Sequence, residues 1–154
     1  MHSSLSIVVK APARRVFELS RDVERWPKLL PHYRRVTIQS REGHRVVAQM
    51  VAIRRFGPLP VPVTWRAEQW ADESDEDDLR LHFRHVRGVT RGMEVSWHIR
   101  SEGEGSRVTI EHDFRRSLPL LGDDVLPAFV NRFFIRPIAG RTLSTFRALA
   151  EGPG

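Results

Sequence analysis

The sequence predicts an α+β fold: a curved antiparallel seven-stranded sheet wrapped around a long C-terminal helix, with two short helices after strand 1. Three observations predict it. From Tyr33 to about Arg116 polar and apolar residues alternate, the period of strands with one face in water. Turn-forming residues punctuate that run at Glu42-Gly43, Asp72 to Asp78, Gly88 to Gly92 and Glu102 to Ser106. The one long stretch with helical periodicity comes last, Asp123 to Ala150, with Val125, Phe129, Phe133, Leu143, Phe146 and Ala150 forming a stripe whose register slips once. A helix of that kind must bury its stripe against one face of the sheet, and a curved sheet leaves space between the two.

Each element follows from local chemistry. Leu5 to Lys10 is a strand with Leu5, Ile7 and Val9 on one face. Ala11-Pro12-Ala13 opens a helix, with proline in the tolerated first turn and Val16, Phe17 and Leu19 as its apolar side. Asp22 caps a second short segment, VERWPKLL, which Pro27 turns into a broken helix. Then come strands at Tyr33 to Ser40, Arg45 to Arg55, Val63 to Ala71, Leu79 to Val86, Met93 to Arg100 and Arg107 to Arg116. Phe56 to Pro62 holds three of the ten prolines and reads as a loop or an irregular start of a strand. Ser117 to Gly122 leads into the final helix. Pro137 removes a backbone donor there and Gly140 follows, so two segments, about Asp123 to Arg136 and Pro137 to Ala150, should meet at a kink.

Alternation assigns the inward face. It carries Val46, Ala48, Met50 and Ala52; Val63, Trp65, Ala67 and Gln69; Leu79, Leu81, Phe83 and His85; Met93, Val95, Trp97 and Ile99; and Val108, Ile110, His112 and Phe114. The outward face mixes Arg, His, Asp and Glu, as a solvated sheet does. Three polar residues interrupt the inward face, Gln69, His85 and His112, beside Trp65 and Trp97. Apolar walls with a few convergent polar groups are the pattern of a small-molecule cavity.

Bulk properties bound the function. A chain of 154 residues suits one domain. There is no cysteine, which excludes disulfides, thiol nucleophiles and thiolate metal sites. No apolar run approaches the ~20 residues of a membrane span, and the N-terminus lacks a charged region ahead of an apolar one, so a cytoplasmic location without integral membrane association is expected. The net charge of +6 comes almost wholly from arginines spread along the strands, with Arg34-Arg35, Arg54-Arg55 and Arg115-Arg116 as the densest tracts. Nucleic-acid binding needs tighter clustering and is not expected. His82 and His98 share the outward face without a third ligand, no phosphate-binding glycine loop appears, and neither metal nor cofactor is expected.

The order of elements is that of the helix-grip fold. The chain resembles the START-like (SRPBCC) superfamily, in the branch of polyketide cyclase/dehydrases and coenzyme-Q-binding proteins, from about Ser4 to Ala150. The opening carries the resemblance in Ala11-Pro12, Val16-Phe17, Asp22, Trp26-Pro27 and Tyr33. The run MEVSWHIRSEGEGSRVTIEHDF resembles the family's strand, glycine hairpin and strand ending in Asp-Phe. Asn131, in a Phe-Val-Asn of the last helix, resembles a position facing the aromatase cavity. One departure stands out. Aromatase/cyclases carry Trp-x-Trp-x-Ser-x-Arg on the fourth strand, where this chain has Val63, Trp65, Ala67 and Gln69. The family's hydroxyl and guanidinium are missing there.

Two readings follow. In the first, the cavity binds a hydrophobic small molecule: a polyketide, an isoprenoid quinone or a lipid-like chain. Trp26, Tyr33, Trp65, Gln69, Phe83, His85, Trp97, His112, Phe129, Asn131 and Phe133 would line it, and the protein would be a monomer or weak homodimer. In the second, the chain cyclises or dehydrates a poly-β-keto chain. His85 or His112 would be the base, since imidazole titrates near neutrality, and Tyr33 or Asn131 the donor to the enolate oxygen.

Overall fold

The computed structural model describes residues 1–115, 120 and 122–153. Its strands are β1 (His2–Val9), β2 (Tyr33–Glu42), β3 (Arg45–Phe56), β4 (Leu59–Asp72), β5 (Asp78–Arg87), β6 (Glu94–Glu102) and β7 (Gly105–Asp113). They form one sheet in the order β1-β7-β6-β5-β4-β3-β2, antiparallel at every junction. Helix α1 (Ala13–Ser20), a 3₁₀ turn (Val23–Arg25) and α2 (Trp26–Leu29) connect β1 to β2. Helix α3 (Val125–Val130), a π-turn (Asn131–Ile135) and α4 (Arg136–Glu151) end the chain, and α4 packs on β1, β3 and α1.

The inward face is the one that alternation assigns. Ala48, Met50 and Ala52 of β3, Trp65, Ala67 and Gln69 of β4, and Leu79, Leu81, Phe83 and His85 of β5 are buried. So are Val95, Trp97 and Ile99 of β6, and Val108, Ile110 and His112 of β7, with Met93 and Phe114 just beyond those strands. Outward residues pair across strands instead, as Arg45 does with Glu68 (2.6 Å) and Arg84 with Glu94 (3.3 Å).

Three boundaries differ most from expectation. β1 begins at His2, where the Met1 ammonium donates to the Phe114 carbonyl (2.7 Å) and extends the pairing with β7. β4 begins at Leu59, so the proline-rich stretch is a strand directly after a tight turn. Pro60 and Pro62 lie opposite Arg55 and Ile53 of β3. β5 pairs with β4 only from Arg66 onward, so this part of β4 is an edge, where a missing N–H is tolerated. β7 ends at Asp113, and the connection expected from Ser117 lies outside the described residues except for Leu120 and Gly122.

The C-terminal helix departs most. It runs without interruption from Val125 to Glu151, and its irregularity is the π-turn at Asn131–Ile135, before Pro137 rather than at Pro137 and Gly140. Proline explains the position. Residue 137 cannot donate to the Phe133 carbonyl one turn back, and its ring would crowd that oxygen. The widened turn relieves the crowding, and Arg54 Nε of β3 donates to the Phe133 carbonyl instead (2.7 Å).

Gly105 starts β7 where β1 ends. A Cβ there would lie 2.4 Å from the Val9 carbonyl oxygen, with the neighbouring Ser106 hydroxyl tied to the Ala11 carbonyl (2.9 Å). Gly105→Ala is therefore expected to cost about 1–3 kcal/mol, the usual penalty of overpacking, read as a lower midpoint in chemical denaturation.

Candidate functional site

The curved sheet and the C-terminal helix enclose an apolar cavity. Met50, Trp65, Phe83, Val95, Trp97 and Ile110 form its floor, and Phe134, Ile135, Ile138, Ala139 and Thr142 its roof. Trp26 and Tyr33 close one side, and His85, Thr90, Met93 and His112 the other. Its volume is ≈ 90 Å³. Aromatic side chains fill much of the space between sheet and helix. Trp26 is the hub, with ring centroids 5.0 Å from Tyr33, 5.8 Å from Phe83, 5.8 Å from Trp97 and 6.0 Å from Phe146. Its indole N–H donates to the Ser20 carbonyl (3.0 Å).

Polar groups reach this cavity from two sides. On the first, Trp65 stacks on His85 with ring centroids 5.8 Å apart and planes 4° from parallel. The Thr90 hydroxyl is 2.6 Å from His85 Nδ1. The loop after β5 holds it there: Gly92 N–H donates to the His85 carbonyl (2.8 Å) and His85 N–H to the Met93 carbonyl (2.9 Å). Gly88 turns the loop with φ +102° against the Thr64 carbonyl, where a Cβ would come within 2.9 Å. His112 faces the same space from β7, and its Nδ1 is buried without a partner. Burial drives the His85 imidazole down to about 3, helped by nearby His112. Burial likewise takes His112 down to about 4; Asp113 opposes this, while Arg136 and His2 add to it. Both rings are neutral at neutral pH.

The second side is one the sequence reading passed over. Thr142 of α4 donates its hydroxyl to the Ile138 carbonyl (2.8 Å) and lies 2.8 Å from His32 Nε2. With its own hydrogen committed, Thr142 accepts from His32 Nε2–H, which leaves Nδ1 as the bare, unpartnered atom. Burial, reinforced by Arg141, lowers His32 to about 4. Tyr33 packs edge-on to His32 (5.0 Å) and Trp65 (5.9 Å). Burial raises its phenol above the ordinary range against a hydrogen bond with Thr142, so it stays protonated and can donate. His32 follows Pro31 just ahead of β2, outside any alternating run, so periodicity could not assign it a face. Thr142 was legible, for Ile135, Ile138, Ala139, Thr142 and Phe146 have helical spacing.

Of the residues expected at the site, Trp26, Tyr33, Trp65, Phe83, His85, Trp97 and His112 come together on the cavity wall. Four do not. Gln69 points inward but lies beyond the aromatic cluster, in a separate polar groove with Arg21, Asp22, Arg25, Arg41 and His44, and its amide donates to the Arg21 carbonyl (3.3 Å). Phe129 is 51% exposed, and Phe133 packs on it outside the cavity (4.8 Å). Val130 and Phe134 turn toward the interior in their place, one position along and about 100° around the helix. Asn131 opens the π-turn with its Oδ1 buried and unpartnered, and it is not on the cavity wall. Among the described residues, no helix is long and apolar enough to cross a membrane.

An open seven-stranded antiparallel sheet gripping a C-terminal helix over an apolar cavity is the helix-grip fold of START-like proteins. Residues 9–134 match the family model described as "Polyketide cyclase / dehydrase and lipid transport", and the chain belongs to that family. It is 29% identical over 150 residues to the actinorhodin polyketide synthase bifunctional cyclase/dehydratase of Streptomyces coelicolor, covering 92% of this chain and 42% of that protein. The chain thus spans less than half of that relative. Among solved structures, a Thermus thermophilus protein superposes with a TM-score of 0.77 at 24% identity, covering 99% of this chain and 100% of that one. The Zhui aromatase/cyclase of a Streptomyces species superposes with 0.79 at 18%, covering 98% and 93%. At these identities the likeness concerns the fold.

Proposed function

We propose that the chain binds a flat, hydrophobic, oxygen-bearing small molecule, of the aromatic polyketide or quinone type, between sheet and helix. One observation carries this reading: an apolar cavity walled by Trp26, Trp65, Phe83 and Trp97 whose polar groups are a protonated phenol, two threonine hydroxyls and two neutral imidazoles. Such groups orient carbonyl and hydroxyl oxygens without presenting a buried charge. Indole and phenyl faces supply contact area for a planar ring. The free volume is smaller than a multi-ring ligand needs. Met50 and Met93, both on the wall and both unbranched, are the side chains best able to yield.

Purified protein titrated with aromatic polyketides, ubiquinone analogues and fatty acids tests this by quenching of tryptophan fluorescence. Saturable quenching by the planar oxygenated compounds is expected. Trp65→Ala should weaken it about tenfold or more, the factor equivalent to ~1.4 kcal/mol of lost stacking and burial. Absence of binding by every class tested would sink the proposal.

A second reading, cyclisation or dehydration of a poly-β-keto chain, is favoured by the relative named as a bifunctional cyclase/dehydratase and by His85 and His112 on the cavity wall. An imidazole lowered to about 3 or 4 is a weak base at neutral pH, which ranks this reading below binding. Turnover of a poly-β-keto thioester that survives replacement of both histidines by alanine removes them from the chemistry.

A further inference from the structure

Charge is unevenly placed along this molecule. In an antiparallel meander successive turns lie at opposite ends of the sheet. The turns β2–β3, β4–β5 and β6–β7 share one end and carry nine of the nineteen acidic residues: Glu42, six between Asp72 and Asp78, Glu102 and Glu104. The turns β3–β4 and β5–β6, at the other end, carry none, and neither does the helix from Val125 to Ala150. The cavity opens beside these two turns, where its partly exposed lining residues Val63, Thr90, Phe134 and Ile138 lie.

Arg55, Arg87, Arg91 and Arg132 stand around that mouth on β3, β5, the β5–β6 loop and the π-turn. Among the described residues none of them is paired with a carboxylate. Of the acids on the neighbouring elements, Glu94 is engaged by Arg84 (3.3 Å) and Asp113 by His2 (2.8 Å), while Asp123 and Asp124 stand ahead of α3. Among the arginines stand large apolar side chains turned to solvent: Leu59 is 60% exposed, Val125 52% and Phe129 51%. They are one surface. Val125 and Phe129 are one helical turn apart, Phe129 packs on Phe133 (4.8 Å), Phe133 on Phe56 (6.4 Å), and Phe56 lies opposite Leu59 in the β3–β4 hairpin. Clustered exposed apolar groups of this kind mark an interaction site.

We propose that this end docks onto an anionic lipid bilayer, with Leu59, Val125 and Phe129 entering the headgroup boundary and the arginines pairing with lipid phosphates. The cavity mouth then faces the membrane, from which a hydrophobic ligand can pass without crossing water. Nucleic acid and acidic proteins match the charge as well. A bilayer alone sets apolar depth beneath an anionic surface, which is what protruding apolar tips ringed by arginine require.

Co-sedimentation of the full chain with ligand-free vesicles tests this independently of the ligand titration, so either reading can fail alone. Binding is expected to phosphatidylcholine vesicles containing phosphatidylglycerol and not to phosphatidylcholine alone, weakening as salt rises. Arg55→Gln with Arg132→Gln should lower the partition coefficient roughly tenfold or more. Leu59→Ser with Phe129→Ser should abolish binding to the mixed vesicles. All four positions are exposed or partly exposed, and a thermal melt of each variant confirms folding. Equal binding to both vesicle types, binding to neither, or variants that sediment like the parent overturn the proposal. Retention of DNA or of an acidic protein through the same arginines, without vesicle binding, would assign the face to that partner and overturn it too.

Discussion

Between pH 6.5 and about 4 the protein is expected to lose most of its stability, because three buried imidazoles must take up protons. Burial holds His85 at about 3 and His112 and His32 at about 4, whereas an unfolded chain returns each to about 6.5. A histidine depressed in the folded state stabilises fully above its unfolded pKa, and that stability drains away as pH falls toward the folded one. In that window the unfolded chain binds more protons, so stability falls by ~1.4 kcal/mol per pH unit for each histidine and ~4 kcal/mol for all three. Domain stabilities of roughly 5–15 kcal/mol make a midpoint near pH 5 the natural outcome. Exposed carboxylates such as Asp72 and Glu73, held low by hydrogen bonds to Ser74 and Arg14, act at lower pH, where they lose their charge. Denaturant midpoints measured from pH 7.5 to pH 4 provide the check. Replacing His85 or His112 by glutamine should flatten the curve by about one proton. A midpoint that does not move between pH 7 and pH 5 would show that the imidazoles are not held neutral.

Trp26→Ala should be among the most damaging single substitutions in the chain, costing about 3–5 kcal/mol. The indole is 3% exposed, touches Tyr33, Phe83, Trp97 and Phe146 at once, and satisfies the Ser20 carbonyl at the end of α1. Truncation opens a void contiguous with the ligand cavity, orphans that carbonyl and removes aromatic pairs worth about 0.5–1.5 kcal/mol each. In a domain of this size the expected fall in Tm is roughly 10 °C. Trp26→Phe, which keeps a ring but not the N–H, should lose less than half as much. Thermal denaturation distinguishes the two; similar melting of the alanine variant and the parent would contradict Trp26 as the hub.

The strand faces were legible because alternation is local: a β-strand sends neighbours to opposite sides whatever surrounds it. That is why Trp65, Phe83, His85, Trp97 and His112 could be read as inward-facing, and the structure buries all five. Gln69 shows the limit of the same rule. It shares its face with Trp65, and the structure buries it, yet distance along the strand carries it past the aromatic cluster into another groove. Alternation gives a side and says nothing of depth. The helix shows a different limit. A π-turn inserts a residue that no 3.6-residue period anticipates, so Phe129 and Phe133 rotate outward and Val130 and Phe134 inward.

By itself the sequence determined the fold class, the order of elements and the composition of the inward sheet face, all of which depend on short-range sterics and hydrophobic period. Only the tertiary structure decided which inward residues share the cavity, how little free volume Trp26 and its neighbours leave in it, and that His32 and Thr142 meet across 110 residues of chain. Those depend on where the sheet curves and where the helix crosses it, and are set by contacts between residues far apart in sequence. Placing acidic turns at one end and an arginine-ringed apolar mouth at the other likewise required the meander to be closed in space.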